Sequence, residues 1–103
     1  MLTENLQEEI WQWVAAVPPG KVASYGQIAA LAGYPRHSRY AGKVLKELPP
    51  DSTLPWHRIL RASGELAFPA GSAGFREQRE RLAMEGVTVL GQRVDMARHR
   101  WEP

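Results

Sequence analysis

Proline and glycine divide the first half of this 103-residue chain into segments of only a few helical turns each, which restricts it to small packed helices. The breaks are Pro18-Pro19-Gly20, Gly33 and Pro49-Pro50. Leu6, Ile10, Trp13, Val14 and Val17 recur at helical spacing before the first break, and Thr3 is placed to cap that helix. Ser24-Tyr25-Gly26-Gln27 has the spacing of a capping box, with Ser24 as the cap and Gln27 reaching back to it. Ile28, Ala29, Leu31 and Ala32 supply the apolar side of this second helix, and Gly33 ends it by tolerating a left-handed backbone. A tight connection, Tyr34 to His37, leads to a third helix. Ser38 caps it, and Ala41, Val44, Leu45 and Leu48 form its buried side. Two short helices joined through a turn of this length make a helix-turn-helix.

The second half is read more loosely. Lys21 to Ala23 is a linker. Residues 49–55 form a proline-rich loop, Arg58 to Ala62 a short strand, and Ser63-Gly64 a turn after which Glu65 to Phe68 pairs back. Small residues fill a loop from Pro69 to Gly74. Phe75, Leu82 and Ala83 mark one side of a highly charged fourth helix closed by Gly86. Val87 to Leu90 forms a last strand, and a basic tail, about 93–103, packs through Val94, Met96 and Trp101. The expected class is mainly α: one winged-helix-like helix-turn-helix domain over 1–103 with a small β-hairpin.

Composition excludes several chemistries. The chain has no cysteine, so a disulfide framework, a thiolate metal site and a cysteine nucleophile are all ruled out. No apolar run approaches the ~18 residues of a membrane span, and the acidic start, Met1 to Glu9, does not read as a secretory signal. A cytoplasmic chain is the expectation.

The net charge of +2 conceals an asymmetry. Between Tyr34 and Arg61 lie Arg36, Arg39, Lys43, Lys46, Arg58 and Arg61, opposed only by Glu47 and Asp51. Such a stripe on a nearly neutral chain is either a footprint for phosphates or an ordinary solvated face. Arg39, Lys43 and Lys46 share one face of the third helix by their spacing. Gly42 inside that helix costs ~1 kcal/mol against alanine. It suits either a helix lying in a groove or close packing against the protein itself.

One string is distinctive: Pro55-Trp56-His57-Arg58-Ile59. Together with Ser24-Tyr25-Gly26, the Arg39 helix and Glu85-Gly86, it resembles the DNA-binding domain of the O6-alkylguanine-DNA alkyltransferases, which carry Pro-Cys-His-Arg-Val here. With Trp56 at the cysteine position, the chain is similar to the alkyltransferase-like branch. The resemblance implies a non-enzymatic protein that binds O6-alkylguanine in duplex DNA through the minor groove and flips the damaged nucleotide into a pocket. It implies DNA contacts by Tyr25, Arg39, Ala41, Gly42 and Lys43, with Tyr25 pushing on the 3′ phosphate and Arg39 filling the vacated place. Trp56, Ile59 and Ser72 would line the pocket, with Ser72 donating toward the alkylated oxygen. His57 and Glu85 would be the structural remnant of the relay that activates the missing thiol.

The resemblance further implies a monomer without cofactor or metal, nucleoid-associated when bound to DNA, that flags lesions for nucleotide excision repair proteins. Where the transferases have an asparagine hinge, this chain has Glu47-Leu48-Pro49-Pro50. The rival reading is a small helix-turn-helix transcriptional regulator.

Overall fold

The computed structural model describes residues 2–103, with side chains from residue 6 onward. Its described residues form five α-helices and two two-stranded sheets. The first helix, α1 (Leu2–Ala16), buries Leu6, Ile10 and Val14 along one stripe, continued by Val17. The cap assigned to Thr3 lies outside the described side chains. Helix α2 (Tyr25–Leu31) starts as its sequence predicts, with the Gln27 N–H donating to Ser24 Oγ at 3.0 Å. Gln27 does not complete the capping box. Its amide instead donates to the carbonyl of Trp101 at 2.7 Å, so a partner 74 residues away displaces the local one.

Gly33, at φ +96°, turns the chain toward α3 (Ser38–Lys46). The cap of α3 differs from the expectation. His37 occupies the capping position without a side-chain bond, and Ser38 is already helical. Ala29 and Ala41 are both fully buried, and small side chains of this kind let α2 and α3 approach closely.

The segment read as a linker, Lys21 to Ala23, runs into a strand. Strand β1 (Ala23–Ser24) pairs in parallel with β2 (Ile59–Leu60), Ala23 opposite Ile59. On its other side, the Val22 N–H donates to His99 O at 2.9 Å, and the Trp101 N–H donates to Val22 O at 2.8 Å. Side chains alternate across this sheet. Ala23 and Ile59 face a core built by α1, α2 and α3, whereas Val22 and Leu60 face a second cluster with Leu66, Phe75, Leu82, Val87 and Val94. The strand read over residues 58–62 contains β2, whereas β1 was missed, because two residues carry too little alternation to register as a period.

The hairpin also lies elsewhere than expected. Trp56–Arg58 is a 3-10 turn, and Arg61 folds back only as far as one bond from its N–H to Glu65 O, 3.0 Å. The hairpin is β3 (Val89–Leu90) with β4 (Arg93–Val94). Leu66 then pairs with Gln92, and Glu65 bridges Arg93. The basic tail is thus part of the fold: after β4 it forms α5 (Met96–His99) and docks Trp101 against Trp13, ring centroids 6.3 Å apart. Gly64 makes the docking possible. It sits at φ +91°, and a Cβ there would lie 2.6 Å from the Val94 carbonyl. Gly64→Ala is expected to cost about 1–3 kcal/mol in urea unfolding, because backbone, not a flexible side chain, blocks the methyl group.

Helix α4 (Ala73–Met84) buries Phe75, Gln78 and Leu82, while Ala83, assigned to the buried side from sequence, is exposed. A polar Gln78 in the stripe disguised the true face. Its buried amide donates to the carbonyls of His57 and Ile59, at 3.1 and 3.2 Å, and fixes the turn that carries Trp56.

Candidate nucleic-acid interface

A cavity of about 510 Å³ opens between the α2–α3 pair and the segment that follows β2. Its helical wall is made by Tyr25, Gly26, Ser38, Arg39, Gly42, Leu45 and Lys46. Its opposite wall is made by Trp56, Arg61, Ala62, Ala67, Phe68 and Pro69. The interior is predominantly apolar, and the cations stand around it. None of these described lining residues is acidic. Concave apolar sites of this size with a few placed polar groups are the usual form of a small-molecule or base pocket.

Trp56 is held from several sides. Phe68 meets it edge to face with centroids 5.9 Å apart, His57 stands at right angles to it, and the Arg81 guanidinium lies 5.5 Å above the indole. Arg81 is itself placed by an ion pair with Glu77 one turn back on α4, at 2.8 Å. Each contact of this type contributes roughly 0.5–1.5 kcal/mol. Together they leave the indole face as a fixed surface. Gly74, in the first turn of α4, allows Phe68 to lie there, since a Cβ at 74 would fall 2.5 Å from the ring.

Behind Trp56 is a partly buried polar cluster. His57 Nε2 is 2.9 Å from Glu85 Oε2. Arg58 grips the same carboxylate through Nε at 3.0 Å and Nη2 at 2.7 Å, and its Nη1 donates to Val17 O at 2.7 Å. The Gly20 N–H donates to Glu85 Oε1 at 3.4 Å. The Arg58 hydrogen bonds hold the Glu85 carboxyl at about 2, against its ordinary 4.5; burial opposes them and His57 adds to them. Burial pushes His57 below its usual value, with the Glu85 bond opposing. A carboxylate can only accept, so Nε2 carries the imidazole proton and Nδ1 does not. That Nδ1 is buried and has no hydrogen-bond partner. The cluster therefore fastens the end of α1, the Trp56 turn and the end of α4 to one another. No thiol is present for it to activate.

Of the residues singled out in the sequence, Tyr25, Arg39, Gly42 and Trp56 converge on the cavity. Tyr25 is half-buried. Burial raises its phenol above the ordinary value, with Arg61 opposing, so its hydroxyl is a neutral donor at pH 7. Gly42 faces Tyr25, and a Cβ there would sit at an ordinary 3.8 Å from that ring. The protein's own packing therefore does not require glycine at 42, and the space it leaves belongs to the cavity.

Three assignments are corrected. Ala41 is fully buried on the core side of α3 and presents no surface to DNA. Ile59 is fully buried in β2 and packs into the helical core, away from the cavity. The Ser72 hydroxyl caps α4, accepting from the Phe75 N–H at 3.2 Å, and does not line the cavity. Adjacent or cap positions point in directions that a family string does not reveal. Lys43 is exposed on α3, outside the cavity lining.

The sequence reading gave no role to Phe68, Arg81 or Gln78, which wall the cavity or set its wall, and counted Arg61 only as one cation of the basic stripe. Nor did it separate out Arg58 as the anchor of the cluster. Its signal was present, because it adjoins His57 in the distinctive string.

Comparison with known proteins bears on this arrangement. The family model "6-O-methylguanine DNA methyltransferase, DNA binding domain" matches residues 5–87. A DNA base-flipping protein of Escherichia coli (strain K12) is 43% identical over 99 residues, which cover 95% of this chain and 75% of that protein. Alkyltransferase-like protein 1 of Schizosaccharomyces pombe is 33% identical over 108 residues, spanning 100% of both chains. A crystal structure of S. pombe Atl1 in complex with damaged DNA containing O6-carboxymethylguanine superposes with a TM-score of 0.90 at 31% identity, covering 97% of each chain. The chain therefore belongs to the family of the 6-O-methylguanine DNA methyltransferase DNA-binding domain, with Trp56 walling the cavity and no cysteine anywhere in its sequence.

Proposed function

We propose that the protein is a lesion reader, which binds O6-alkylguanine in duplex DNA, receives the flipped nucleotide in its cavity and leaves the alkyl group in place. The observation that carries this reading is the cavity itself: apolar inside, rimmed by cations, and walled by a braced indole. Trp56 and Phe68 offer aromatic surface to a base and its alkyl group, and stacking of this kind contributes ~1–3 kcal/mol. Flipping a nucleotide costs a few kcal/mol, less when the pair is already weakened. Arg39, near the start of α3, reaches the duplex and fills the vacated place, while the Tyr25 hydroxyl donates to a phosphate. Lys43 on the exposed face of α3 adds a phosphate contact.

Alkyl transfer needs a nucleophile that attacks carbon. An indole N–H only donates, and no thiol exists in the sequence. A protein that holds a lesion without removing it must hand it on. Nucleotide excision repair proteins are the partners that the family resemblance suggests, with one chain acting per lesion on the chromosome.

The test is equilibrium binding of duplexes that differ only in O6-methylguanine or guanine, at fixed salt. Preference for the modified duplex, largely independent of flanking sequence, is expected. A preference set by flanking sequence instead indicates a regulator and overturns the reading. Incubation with a duplex radiolabelled in the methyl group is expected to leave the protein unlabelled.

A further inference from the structure

We infer that Arg61 is a second anchor for DNA at this cavity: its guanidinium grips a backbone phosphate of the nucleotide seated there, from the wall opposite Arg39. The inference deepens the lesion-reading function and rests on it.

Arg61 directly follows β2, and its backbone is fixed. Its N–H donates to Glu65 O at 3.0 Å, and its carbonyl accepts from the Gly64 N–H at 2.8 Å. The side chain is exposed, lines the cavity, and makes no ion pair or side-chain hydrogen bond among the described residues. The other cations of the lining, Arg39 and Lys46, come from α3, so positive charge faces the opening from both walls. No acidic residue lines the cavity to neutralise it. Like charges gathered around an apolar hollow repel one another and favour an anion placed between them.

A flipped base fills the apolar interior and leaves its phosphates at the mouth, where the guanidinium stands. Arg61 is also close enough to Tyr25 for its charge to act on the phenol, against the effect of burial. A phosphate there accepts from the Tyr25 hydroxyl and from Arg61 together, and guanidinium presents the fork of donors that phosphate oxygens take.

The same chemistry would suit an anionic group on the adduct, and the experiment separates the two. Wild type, Arg61→Ala and Arg61→Lys are titrated with duplexes carrying O6-methylguanine or O6-carboxymethylguanine, between about 50 and 200 mM salt. The alanine variant is expected to bind both duplexes roughly three- to tenfold more weakly at the lower salt, with the slope of log affinity against log salt reduced by ~0.9. The lysine variant keeps the wild-type slope. A neutral methylphosphonate linkage is then placed in turn on each side of the lesion. At one position it weakens wild type as much as the alanine substitution does, and weakens the alanine variant no further.

A loss confined to the carboxymethyl duplex places the anion on the adduct and overturns the phosphate assignment. An unchanged slope in Arg61→Ala, with a wild type that prefers the lesion, overturns the assignment alone. A wild type without that preference overturns the lesion reading itself.

Discussion

Glu85→Ala is expected to destabilise the protein by about 1.5–3 kcal/mol in urea unfolding at neutral pH, the usual worth of hydrogen bonds to a charged group, here in a partly buried ion pair. A domain of this size is stable by only about 5–15 kcal/mol, so the loss is a large share of the total. The Arg58 and Glu85 side chains are 14% and 16% exposed, and the carboxylate is the acceptor for both Nε and Nη2 of the guanidinium. Without it, a cation remains beneath the Trp56 turn with only the Val17 carbonyl as partner. Arg58→Leu combined with Glu85→Leu is expected to recover part of the loss, because no unpaired charge is then buried. A fully additive double variant would show that the two side chains act independently.

The same carboxylate sets an acid dependence. The folded-state value of Glu85, about 2, lies below its ordinary 4.5. A depressed carboxyl contributes stability above the unfolded value and loses it as pH falls through the folded one. The gap in unfolding free energy between wild type and Glu85→Gln is therefore present above about pH 4.5 and closes toward pH 2. His57 acts in the same direction. Burial makes it harder to protonate in the fold, so stability declines as pH drops below its ordinary 6.5. A gap that does not change with pH would remove Glu85 as its source.

Arg39→Ala is expected to weaken binding to an O6-methylguanine duplex by roughly 1–3 kcal/mol, or about 5- to 150-fold, and to reduce discrimination against the unmodified duplex. Arg39 is exposed on α3 and lines the cavity, so its loss changes stability by no more than ~0.5 kcal/mol. The defect is expected in binding alone. Arg39→Lys keeps the charge and separates the two contributions. If the guanidinium fills the space left in the duplex, lysine restores the salt slope but not the lesion preference. Equal weakening of both duplexes by alanine would make Arg39 a phosphate contact and remove it from the finger role.

The helix-turn-helix was legible because its signals are local. Apolar spacing, the Ser24 cap and the Gly33 stop each lie within a few residues of what they control. The cavity was legible in part. Tyr25, Arg39, Gly42 and Trp56 were found through their place in a family string, while Ala41, Ile59 and Ser72, drawn from the same comparison, point elsewhere. A string records which residues are adjacent and not which way each faces.

Local periodicity and chain-breaking residues determined the first four helices of this protein and their order, and the missing cysteine determined that no thiol chemistry is available to it. Only the tertiary structure decided that residues 22–24 pair with β2 and with the tail, that Gln27 turns from its own cap to Trp101, and that Phe68 and Arg81 meet Trp56 while Arg61 joins it in the cavity wall. Those arrangements join residues far apart in the chain through one or two hydrogen bonds or ring contacts each. They leave no period in the sequence, because what places them is the packing of whole elements against one another.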